Sequence, residues 1–169
     1  MKLDFLPATV DGDLHAIVEA ARGARTKYKF DPGTSMFTLH KILPRGMTYP
    51  TNFGFIPSTR AEDGDPLDVL VLTEEPSPPG CLIRCRTLGV IEAVQVERGK
   101  RIRNDRIVGV PVQDREIRTI RDVSPTQLRE IEEFFVAFNR ILGKRFEILG
   151  HQGRSHANRI IRRSRVLRL

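Results

Sequence analysis

Two hydrophobic periods divide this chain, and the change comes about two-thirds of the way along it. Up to residue 112 the apolar residues fall into short β-rich runs: 15–20, 25–30, 36–43, 69–72, 82–86, 89–97 and 101–112. Asp31-Pro32-Gly33, Pro44-Arg45-Gly46 and the stretch from Pro76 to Gly80 separate them as turns, because proline presets φ and glycine accepts the positive φ that turns need. Two runs flank Arg98-Gly99-Lys100, which reads as a hairpin. Many short strands at close intervals favour a small closed barrel over a parallel sheet. After residue 112 the period becomes helical. Ser124-Pro125-Thr126-Gln127 predicts a capping-box start with proline at the first helical position. Leu128, Ile131, Phe135, Phe138 and Leu142 then recur at helical spacing, and Gly143 is the expected stop. A second helix is expected over 155–166, with Ala157, Ile160 and Ile161 on its apolar side. The fold class is therefore α+β, a small closed β-barrel flanked by two C-terminal helices. No internal repeat or linker divides residues 1–169, so a single domain is expected.

Within that frame the stretch Glu62-Asp63-Gly64-Asp65-Pro66-Leu67-Asp68, leading into Val69-Leu70-Val71-Leu72, carries the chemistry. Asp63, Asp65 and Asp68 crowd together while Gly64 and Pro66 hold the backbone in a turn. Carboxylates this close raise one another's pKa unless positive charge sits among them. Mg²⁺ would supply it, since it takes carboxylate oxygens and keeps several waters. A solvated acidic loop is the competing reading. A calcium loop fits less well, because Asp68 stands where that loop needs glycine and the residues after it are strand-like.

The net charge of +7 points to anionic partners. The stretch 154–169 carries Arg154, Arg159, Arg162, Arg163, Arg165 and Arg168 without an acidic residue. It has no interleaved aromatics for base stacking and matches no nucleic-acid motif, so a solvated helix face is favoured over a nucleic-acid site. No segment has the length of a membrane span, and the N-terminus has no apolar signal core, so cytoplasmic residence is expected. Cys81 and Cys85 lie in a strand-like run without histidine nearby and read as ordinary thiols.

Other segments suit a phosphate site. The loop Tyr49-Pro50-Thr51-Asn52-Phe53-Gly54-Phe55 lies just upstream of the acidic turn; Glu19 ends a short strand, and Lys27 and Lys41 lie on strands that could pair with it. The order Glu19…Lys27-Tyr28…Tyr49-Pro50-x-Asn52-x-Gly54…Asp63-Gly64-Asp65-Pro66-x-Asp68 resembles the soluble inorganic pyrophosphatases of the single-domain, magnesium-dependent class. The likeness continues through Pro79-Gly80, Arg84-Cys85-Arg86, Gly89-Val90 and Phe134-Phe135 to the terminal helix. The resemblance implies a five-stranded, OB-like barrel with the active site at its mouth, hydrolysis of pyrophosphate with Mg²⁺, and a homo-oligomer. It makes Asp63, Asp65 and Asp68 metal ligands, with Asp65 also the base toward the attacking water. Glu19 would assist through metal-bound water, Lys27, Lys41 and Arg106 would contact phosphate, and Tyr49 would border the site.

This chain departs from the pattern of that family at several places. Lys29 stands for a glutamate, Lys41 for an arginine, Phe53 and Phe138 for tyrosines, Asn139 for a lysine and Arg106 for a lysine. Gln95 and Asn104 take the places of two metal-binding aspartates. Asp105 is the candidate substitute, but neighbouring strand residues point to opposite faces, so it should face away unless a bulge turns it in. Three functions follow: a pyrophosphatase with weakened metal binding or rate, a non-catalytic protein that binds a phosphate-bearing ligand, or a hydrolase of an organic diphosphate with Phe53 and Phe138 against the substituent.

Overall fold

In the computed structural model, which describes Leu3 and residues 6–166, the chain order is strand-rich first and helical late. The strands are β1 (Thr9–Val10), β2 (Asp13–Ala20), β3 (Thr26–Asp31), β4 (Met36–Ile42), β5 (Asn52–Phe55), β6 (Asp68–Val71), β7 (Leu82–Glu97), β8 (Lys100–Arg103) and β9 (Arg106–Pro111). Helix α1 (Pro125–Ile141), strand β10 (Arg145–Gly153) and helix α2 (Arg154–Ser164) follow. Pairing runs from β2 to β5, β6, β9 and β7, and β7 pairs back with β2, so five strands hydrogen-bond in a cycle. Only β6–β9 is parallel within it, which makes the sheet mixed. β1 adds to β2, while β8 and β10 add to β7. α1 covers one core, built on Phe134, Phe135 and Phe138 against Phe53, Leu70 and Val108. Ala157 and Ile161 of α2 cover the other, over Leu14, Ile56, Val69 and Ile107.

Several boundaries differ from the expectation. The runs 82–86 and 89–97 are one strand, β7, bulged between Thr87 and Gly89. The run 101–112 breaks at Asn104-Asp105 into β8 and β9. The tip Arg98-Gly99 does form the expected hairpin, with φ of 50° and 77°, the two positive values of a type I′ turn. The stretch 49–55 is a loop only in part, because Asn52–Phe55 is β5. Gly54 makes that possible: a Cβ there would lie 1.9 Å from the Ile17 carbonyl oxygen, so only glycine lets β5 lie against β2. β3 and β4 do not join β2. They form a separate ribbon in which Lys27 faces Lys41.

The helices follow the apolar period, with two corrections. Ser124 caps α1 without a side-chain hydrogen bond, and the helix begins on Pro125 at its first position. The reciprocal acidic cap sits just upstream, where Asp122 accepts from the Arg118 and Thr119 N–H groups at 3.0 and 2.8 Å. Leu142 lies beyond the helix and is 45% exposed, and Gly143 ends the turn at a φ of 73°. The arginines 154, 159, 162, 163 and 165 are exposed, as a solvated face requires; Arg168 lies outside the described residues. Both cysteines are free, and burial pushes the Cys85 thiol up to about 12. No helix among the described residues is long and apolar enough to cross a membrane.

Candidate active site

The acidic turn is built by local bonds. Gly64 takes a φ of 89°, where a side chain would be strained. The Asp65 N–H donates to Asp63 Oδ1 at 3.1 Å, and the Ala61 N–H donates to the Asp65 carbonyl at 2.7 Å. Asp68 opens β6, in parallel register with Arg106 on β9. These bonds turn Asp63, Asp65 and Asp68 into one cleft of about 340 Å³, together with Lys27 and Lys41 from the ribbon, Tyr49, and Arg106. Glu19 borders a neighbouring cavity of about 330 Å³ and joins the cleft through Lys27, whose Nζ lies 3.0 Å from Glu19 Oε2.

Each acid is held by a positive or N–H partner. Lys29 Nζ stands 2.9 Å from Asp65 Oδ1, and Arg106 Nη1 stands 2.6 Å from Asp68 Oδ2. Burial raises the Glu19 carboxyl, with Lys27 opposing and Asp68 adding to the rise. Burial also raises Asp63, partly opposed by the Asp65 N–H and reinforced by Asp68 and Asp65. Lys29 is raised by its bond to Asp65, whereas burial and then Lys27 lower Lys41. The Tyr49 hydroxyl is raised by burial, then by Glu19 and Asp68.

Aromatic rings floor the cleft. Lys27 Nζ lies 4.4 Å from the Phe53 ring centre, and Lys41 Nζ lies 5.0 Å from that of Phe138. A ring face attracts a cation, so these phenylalanines hold lysines without a hydroxyl. Arg106 is 6% exposed and packs on Phe135 and Phe146, 4.8 and 5.1 Å from their centres.

The opposite wall is the β7–β8–β9 hairpin. Gln95 and Asn104 both line the cleft, and Asn104 Nδ2 donates to Gln95 Oε1 at 3.1 Å. Asn104 Oδ1 also accepts from Arg106. Asp105, in the break between β8 and β9, is not among the residues that line the cleft. Its Oδ1 accepts from the Ala93 N–H at 3.0 Å and from Arg103 Nε at 2.8 Å. His40, Glu97 and Lys144 line the cleft without having been expected there; Lys144 Nζ pairs with Glu97 Oε2 at 3.0 Å. Glu97 lies two residues after Gln95 on one strand, so period-two alternation was its signal. Nothing local marked Lys144. Asn52 has a structural part: buried, it accepts from the Arg22 and Ser77 N–H groups at 2.8 and 3.0 Å and clips two loops together.

The donor set fits a hard divalent cation that keeps its waters. Among the described residues no three His, Cys, Asp or Glu side chains converge as a finished metal cage. The contacts above use one oxygen each of Asp63 and Asp68, which leaves the second to a cation, while Asp65 is shared with the exposed Lys29 ammonium group. The acids Asp63, Asp65, Asp68 and Glu97 are matched by Lys27, Lys41, Lys144 and Arg106 along the cleft. A multiply charged phosphate anion entering such a balanced cleft calls for added positive charge.

Residues 16–167 match the sequence model of the inorganic pyrophosphatase family. The chain belongs to that family. Relatives described as inorganic pyrophosphatases include one from Nostoc sp., 37% identical over 156 residues and 90% of each chain. Another, from Geobacillus stearothermophilus, is 37% identical over 151 residues, 88% of this chain and 89% of the relative. The crystal structure of inorganic pyrophosphatase from Thermus thermophilus superposes with a TM-score of 0.87 at 32% identity, covering 96% of this chain and 95% of that one. The match to the pyrophosphatase family thus takes in the strand cycle, the ribbon and both helices.

Proposed function

We propose that the protein hydrolyses inorganic pyrophosphate to two phosphates with Mg²⁺ in this cleft, and that it holds the metal more weakly than a site with aspartates in place of Gln95 and Asn104. The observation that carries this reading is that Asp63, Asp65 and Asp68 line one cleft with Lys27, Lys41 and Arg106. Asp63, Asp65 and Asp68 would hold Mg²⁺, which adds positive charge beside the phosphates and acidifies a water. Asp65 accepts the proton of the attacking water at its carboxylate. Lys27 and Lys41 bind phosphoryl oxygens and offset charge on the leaving phosphate. Arg106 orients Asp68 and meets the phosphate with what its own contacts leave over. Glu19 holds Lys27 in place, and Tyr49 with Phe53 excludes water from the floor.

The strand cycle supports a closed, five-stranded OB-like barrel, and we read residues 1–169 as one cytoplasmic domain that assembles as a homo-oligomer. Purified protein should release phosphate from pyrophosphate only with Mg²⁺, and Asp65→Asn should not. Equal inertness of both proteins would remove the hydrolase reading. The amide pair Gln95–Asn104 favours a second reading, a non-catalytic protein that binds a phosphate-bearing ligand, which calorimetry would register as binding without turnover. An organic diphosphate is less well supported, because Phe53 and Phe138 lie under lysine ammonium groups instead of offering bare apolar surface.

A further inference from the structure

Lys29 and Arg106 both sit on carboxylates of the acidic wall, yet they are held very differently. Arg106 is buried against Phe53, Phe135 and Phe146, and it also donates to the Asn104 side chain and to the Asn104 and Asp105 carbonyls. Lys29 stands on the β3–β4 ribbon, with its side chain 45% exposed and its partner Asp65 63% exposed. Lys27 and Lys29 alternate along β3 and so project from one face. The first is fixed on buried Glu19 and the second reaches Asp65.

We infer that Lys29 is a displaceable counter-ion of Asp65: its ammonium group and an incoming divalent cation compete for the same carboxylate, and this competition sets the metal affinity of the substrate-free protein. The inference rests on the proposed reading of Asp65 as a metal ligand. Two features give it direction. The Lys29–Asp65 pair is open to water and hinges on a ribbon outside the main sheet, so it can part without disturbing the core. The Arg106–Asp68 pair cannot part in this way, because its guanidinium is stacked and multiply bonded. Metal entry therefore exchanges Lys29 for the cation at Asp65 while Asp68 keeps its arginine. Lys29 acts on affinity through Asp65, as a positioning residue.

The test uses the full chain without pyrophosphate and Mn²⁺ as the probe, followed by calorimetry and by the electron paramagnetic resonance of free Mn²⁺. Lys29→Gln should bind Mn²⁺ about 1.5-fold to fivefold more tightly than wild type, the range an exposed ion pair carries. Lys29→Arg, which can still pair with Asp65, should bind as wild type does. In an Asp65→Asn background, Lys29→Gln should bring no gain. Unchanged or weaker binding by Lys29→Gln overturns the inference, as does an equal gain in the Asp65→Asn background, which would mark a general charge effect. Asp65→Asn binding Mn²⁺ as tightly as wild type would instead overturn the metal-ligand reading beneath it, whatever the hydrolysis assay returns.

Discussion

The two walls of the cleft deal with polarity in different ways. On the hairpin wall Gln95 and Asn104 bond to each other, and the charge of Asp105 is turned away toward Arg103 and the Ala93 N–H. On the acidic wall only Asp63 is settled internally, by the Asp65 N–H. Asp65 borrows Lys29 from the ribbon, and Asp68 borrows Arg106 from β9. An amide carries both donor and acceptor and can satisfy its neighbour, whereas a carboxylate only accepts. The acidic wall leans on cations from two other elements, while the hairpin wall settles its amides internally and pairs Glu97 with Lys144 from beyond α1.

The largest test of this contrast is Asp65→Asn, which should lower pyrophosphate hydrolysis by about 100- to 10,000-fold, the usual yield of a positioned general base. A phosphate-release assay at saturating Mg²⁺ reads it, and a small loss would mean that the acidic wall is not the reactive one. Arg106→Met removes a borrowed cation that is buried. It should cost about 3 kcal/mol in urea unfolding, since Asp68 is left without its partner. Making the hairpin wall acidic, with Gln95→Asp and Asn104→Asp together, should lower the Mg²⁺ concentration for half-maximal activity by about tenfold. No change there would break the comparison, because the amides would then not be what weakens metal binding. Asp105→Asn should have the smallest effect, a stability loss of about 1 kcal/mol with the metal dependence unaltered. A shift in metal demand for that variant would place Asp105 in the cleft after all.

What could be read from the sequence was what neighbouring residues decide together. The acidic turn, the Arg98-Gly99 hairpin and the start of α1 at Pro125 all follow from bonds or propensities over a few positions. β5 is not legible because Asn52 and Gly54 have loop composition, and their reason for being in a strand is the close approach of β2. β10 leaves no period in the sequence because Phe146 is its one buried residue, while Leu149 is 50% exposed. In the cleft, Lys27, Lys41 and Tyr49 were reached by resemblance, and the structure brings them beside the three aspartates. The pairing of Lys29 with Asp65 was not legible: the partners lie on a ribbon and a turn far apart in the chain, and only folding selects that contact. Lys144 and Glu97 meet for the same reason.

Strand β7 gives this molecule a timetable. Its first half holds β2 and β9 and its second half holds β8 and β10, with Leu14 opposite Cys85 and Arg145 opposite Val96. A chain leaving the ribosome cannot join β2 to β7 until more than half of it has been made, and β10 arrives only after α1. Distant segments must be brought together before their contacts compensate, which slows folding of such topologies. The two walls of the cleft meet where β6 pairs with β9, Asp68 beside Arg106, so they can join before α1, β10 and α2 have been made.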